Sequence, residues 1–104
     1  MSIIIGLICF ALAAGAVAFI AKLTGSFLKS YRKKKTSKLL VAKIKEVMKT
    51  APEMKLDDLD EEDVIVAEYD EDEDELVQDV SIAHDVDNRV RDVIERNSGI
   101  VVLT

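Results

Sequence analysis

Residues 3–21 form 19 consecutive positions without a charged or strongly polar side chain. As a helix rising ~1.5 Å per residue the run is ~28 Å long, close to the hydrocarbon thickness of a bilayer. It predicts one N-terminal transmembrane helix within a membrane anchor over residues 1–23. A cleaved signal peptide is the competing reading, because Ala14, Ala16 and Ala18 resemble a cleavage region. Residues 1–5 carry no basic group, however, and the run exceeds a typical signal-peptide core, so a retained anchor is expected.

Charge sets the expected orientation. No Lys or Arg precedes the run, whereas Lys22, Lys29, Arg32, Lys33, Lys34, Lys35 and Lys38 follow it. Basic residues flanking a span stay on the cytoplasmic side, which predicts a single-pass membrane protein with its N-terminus outside and its C-terminus cytoplasmic. Within the run, Ala11, Ala14, Gly15 and Ala18 share one stripe of a continuous helix. Small residues let helices approach closely in lipid, so these four are candidate helix–helix contacts, with a second copy or with a larger membrane complex. The lone cysteine, Cys9, lies in the same run and excludes an intrachain disulfide.

Residues 24–55 read as a basic juxtamembrane segment. Thr36 or Ser37 can cap an amphipathic helix through Thr50, with Leu40, Ile44, Val47 and Met48 on one face, and Pro52 ends it. Lys29, Arg32, Lys33, Lys34, Lys35 and Lys38 are candidate contacts to anionic lipid. The same helix could instead pack on a partner's helix. The cluster carries no nucleic-acid-binding motif, and no nucleic-acid partner is expected.

From residue 56 onward 18 acidic side chains face three arginines, while residues 22–55 hold 11 bases against Glu46 and Glu53. The formal charge of −6 therefore averages two segments of opposite sign. Residues 56–79 predict a hydrated, partly disordered acidic stretch broken by one strand over 64–69. An apolar strand between acids suits addition to a partner's sheet edge. Val64, Ile65, Val66, Tyr69, Asp70, Asp72 and Asp74 are thus candidate partner-binding residues. The pattern also resembles a SUMO-interacting motif, which is short and common by chance. The run 70–75 fails as a calcium loop, because position 6 is Glu75 rather than Gly and position 12 is Ser81 rather than Glu.

Residues 80–104 predict a small strand-helix-strand unit. Residues 76–83 alternate loosely, so that 64–69 or 77–82 can supply the first strand, and Asp85 or Asp87 caps a helix with Val86, Val90, Val93 and Ile94 on one face. Acid-to-base spacings such as Asp85 with Arg89 support that helix, Asn97-Ser98-Gly99 ends it, and 100–103 forms a strand. Val90, Val93 and Ile94 join the candidate partner-binding set. His84, beside Asp85 and Asp87, lacks the three or four fixed ligands that a metal site needs. With no nucleophile–base pair or phosphate loop, neither an enzyme nor a cofactor is expected.

The fold class expected is therefore a mainly α membrane protein with a transmembrane helix, a basic amphipathic helix, an acidic tail and a small C-terminal α/β unit. The expected function is a membrane-anchored accessory or adaptor protein whose acidic tail binds a protein partner. A holin-like membrane-active oligomer and a structural subunit of a larger membrane complex are the alternatives.

Overall fold

The apolar run does not stay helical. In the computed structural model, which describes residues 2–50 and 60–103, α1 spans Ser2–Ala14 and β1 spans Val17–Leu23. Gly15 makes the break. Its φ of 77° is left-handed, a conformation glycine adopts without the clash a Cβ brings. The Gly15 amide donates to the Leu12 carbonyl at 3.2 Å and the Ala16 amide to the Ala11 carbonyl at 2.9 Å, which closes the helix with a Schellman cap. Val17, Phe19 and Ile20 then follow as β-branched and aromatic strand formers.

After β1 come α2 (Gly25–Tyr31), β2 (Lys38–Lys43), α3 (Ile44–Thr50), β3 (Val64–Asp70), β4 (Glu75–Leu76), β5 (Val80–Val86), α4 (Asn88–Arg96) and β6 (Ile100–Leu103). The strands form one mixed six-stranded sheet ordered β1-β5-β3-β2-β6, with the short β4 also paired to β3. Only β1 and β5 are parallel; the other pairings are antiparallel.

Helices cover both faces. Leu40 and Ala42 of β2 pack with Ile65, Ala67, Val80 and Ile82 beneath α1 and α3. Their neighbours Leu39 and Val41 point the other way, joining Val64, Val66, Val101, Tyr31 of α2 and Ile94 of α4. A strand buried on both faces is apolar at successive positions. That explains both 39–42 and 64–67, each fully buried.

These elements correct the expected fold class. The chain folds as an α/β domain built on a mixed sheet, with four short helices among the described residues. No described helix is long and apolar enough to cross a membrane; the 13 residues of α1 reach only ~20 Å. Ile5, Ile8 and Cys9 of α1 bury against the sheet, where the expectation placed the whole run within a membrane. The single-pass localisation, with its outside N-terminus and cytoplasmic C-terminus, loses the span on which it rested.

The basic helix starting at Thr36 or Ser37 is replaced over 38–43 by β2, and only 44–50 is helical. The acidic segment contributes an interior strand of the sheet, not a hydrated tail. Over 80–104 the chain forms β5, α4 and β6, with β5 at 80–86 where a strand over 77–82 was expected, and all within the common sheet, where β6 pairs with β2. The expected stop at Pro52 and the acids Asp57 and Asp58 lie outside the described residues.

Candidate functional site: an apolar groove with a basic rim

Charge segregation along the chain becomes adjacency in the fold, because the ladder pairs Lys38 of β2 with Tyr69 of β3 and Lys43 with Val64. Lys34 pairs with Asp70, Lys38 Nζ lies 2.6 Å from Glu71, and Lys43 bridges Glu62 and Glu95. Most of these groups are exposed, where ion pairs add little stability.

Glu68 is different, being fully buried. Its carboxylate accepts from the Lys33 and Lys34 amides at 2.9 Å, Ser37 Oγ at 2.5 Å and Gln78 Nε2 at 2.7 Å. Burial pushes the carboxyl pKa up, but these donors outweigh it and hold the group below its ordinary value. Tyr31 closes the same corner, its hydroxyl donating to the Asp79 carbonyl at 2.7 Å. Burial is the main cause of its rise to about 12. The cluster ties the 32–37 loop to β3. Its carboxylate lone pairs are already engaged, which suits a structural role.

His84 meets acids other than those next to it in sequence. Its Nδ1 lies 2.7 Å from Asp63 Oδ1, and Asp60, Asp63 and His84 place three possible ligand atoms within 4.8 Å of one another. The hydrogen bond that the ring donates to Asp63 raises the His84 pKa. His84 is exposed, and its contact with Asp63 is a surface ion pair when the ring is protonated. Asp87 instead caps α4, accepting from the Arg89 amide.

The most site-like feature is apolar. A groove of about 220 Å³ opens between α2 and α4 above β2 and β6, lined by Leu28, Val41, Val90, Val93, Ile94, Val101 and Leu103, with Arg89 as its polar member. A shallower depression of about 380 Å³ shares Leu28 and Leu103 and adds Lys29 and Arg32. The expected ion pair between Asp85 and Arg89 does not form. Arg32 donates to the carbonyls of Lys35, Ser37 and Leu103. Among the described residues, Arg89, Lys29 and Arg32 thus have no carboxylate partner. They form a cationic rim on a chain of net charge −6.

The structure separates the expected contact sets. Ala11 is in the core, whereas Ala14, Gly15 and Ala18 are exposed across a helix end, a turn and a strand. Lys29, Lys33, Lys34 and Lys35 are exposed; Arg32 and Lys38 are half-buried. Val64, Ile65 and Val66 are buried in β3, which is paired on both sides and offers no edge for strand addition. Tyr69 is half-buried, Asp70 is buried against Lys34, and Asp72 and Asp74 are exposed in the turn. Val90, Val93 and Ile94, by contrast, line the groove together. Their helical spacing is visible in the sequence; Val41, Val101 and Leu103 reach the groove through the sheet order, and Leu28 through the packing of α2 on that face. Comparisons with protein families, curated proteins and solved structures give no match.

Proposed function

We propose that the chain is a non-catalytic protein-binding module, an adaptor that holds an extended apolar and acidic segment of a partner in the α2–α4 groove. The supporting observation is the pairing of an open apolar groove with three cations that have no carboxylate partner among the described residues. Apolar side chains of the partner would fill the space over Val41 and Val101, and flanking carboxylates would meet Arg89 of the groove lining and Lys29 and Arg32 of the adjoining depression. Apolar burial supplies the affinity; the rim charges set register and speed encounter. The acids from Glu71 to Glu75 repel such a segment elsewhere on the surface and so direct it to the groove.

A random-peptide display library selected on the full chain tests the reading. Enriched peptides should combine Leu, Ile or Phe with Asp or Glu, shift the amide resonances of Val90, Val93 and Leu103, and bind at least tenfold more weakly to Val93→Glu and Arg89→Glu. Enrichment of basic peptides, or binding indifferent to both substitutions, would contradict it.

A further inference from the structure

The opposite end of the sheet carries a second surface with different chemistry. β1 is an edge strand, paired to β5 and to nothing on its outer side among the described residues. Six of its seven residues are uncharged, the exception being Lys22, whose register neighbour on β5 is Asp85. Phe19 is 72 % exposed and Phe10 of α1 is 76 % exposed. By register with Ile82, Phe19 points to the face that α1 covers. Ala13, Ala14, Ala18 and Ala21 are also exposed along this stretch. Edge strands are ordinarily shielded by charges, proline or bulges, and β1 has one lysine near its end and no proline.

We infer that this edge is a self-association surface, in which β1 of a second copy pairs antiparallel to it and the two sheets become one. Three observations choose that occupant. Unpaired strand amides and carbonyls need hydrogen-bonding partners, which another strand supplies and lipid tails do not. The edge is almost uncharged on a strongly charged chain, so two copies meet here without the repulsion their net charge of −6 would cause elsewhere. A two-fold axis at Ile20, the centre of β1, sends the two Lys22 side chains to opposite ends and sets Phe19 of each copy opposite Ala21 of the other, so the surface is self-complementary. Such a contact closes at two copies. The groove beside β6, at the far end of the sheet, stays open in both.

Sedimentation velocity of the full chain over a wide concentration range tests this. The wild-type chain should sediment at twice its 11.5 kDa mass. Phe19→Lys and Ala21→Lys, both at exposed positions, should each yield the single-chain species with an unchanged circular dichroism spectrum. A monomer at every concentration, growth beyond two copies, or a dimer unaffected by both substitutions would overturn the inference. So would a monomer that co-sediments with phosphatidylcholine vesicles through Phe19, since the apolar edge would then be a lipid contact.

Discussion

The most apolar stretch of the chain and the most acidic one exchange the places that hydropathy suggests for them. Residues 17–23, from the apolar run, form the outer strand β1 with Phe19 largely exposed, while 64–70, set among acids, form β3 in the sheet interior with Ile65, Val66 and Ala67 fully buried. Burial follows pairing, not segment hydropathy. β3 has a neighbour on each side and helices over both faces, so its short apolar core is enclosed and its acids lie near its ends, apart from Glu68. β1 has one neighbour and keeps an open edge however apolar it is.

The contrast is sharpest in stability. Ile65→Ala should cost about 3 kcal/mol, the range for a large-to-small change in a packed core. Phe19→Ala should stay within about 0.5 kcal/mol under conditions where the chain is monomeric, as expected at an exposed position. Denaturant unfolding of both variants measures the difference, and equal losses would break the comparison.

Glu68 tests whether the interior strand depends on its buried charge. Glu68→Gln should destabilise by about 2 kcal/mol at neutral pH, because charge-assisted hydrogen bonds are lost and two backbone amides keep a poorer acceptor. The folded-state pKa is lowered, so the carboxylate's contribution is fully present above its unfolded value of about 4.3 and is lost as pH falls through the lowered folded value. Denaturation midpoints between pH 7 and acid should therefore fall less steeply for Glu68→Gln than for wild type.

At the break in the apolar run, Gly15→Ala should cost about 1 kcal/mol from the left-handed backbone alone, since open space surrounds the added methyl. A thermal melt resolves that shift. The smallest effect belongs to His84. Its histidine resonances should titrate above the ordinary range of about 6.5, and Asp63→Asn should lower that midpoint with little change in stability. The raised value favours the folded chain only at low pH, and its contribution disappears as pH rises through it.

Several elements are legible in the sequence itself. The strand at 64–69, the helix capped by Asp87 and the strand at 100–103 each carry a local signal: β-branched residues, a capping side chain and helical spacing, and a closing glycine. At the end of α4, Ser98 and Gly99 both take positive φ and their amides return to Glu95 and Ile94. The N-terminal half is misleading because a long apolar run is equally a span or a helix plus a strand. The deciding residue, Gly15, also fits a stripe of small residues. Residues 38–43 fit a helical face as well as a doubly buried strand, and only pairing with β3 decides between them. The Glu68 cluster and the His84–Asp63 pair join residues 10 to 35 positions apart, which no local pattern reports.

The central claim is that residues 3–21 are a helix, a glycine turn and an edge strand. Backbone chemical shifts and amide–amide contacts of the full chain in aqueous buffer test it most directly. The account predicts helical shifts ending by Ala14, extended shifts over 17–23, and cross-strand contacts joining Val17 to Val80 and Phe19 to Ile82. Unbroken helical shifts from Ile3 to Ala21, with no contact to β5, would contradict it.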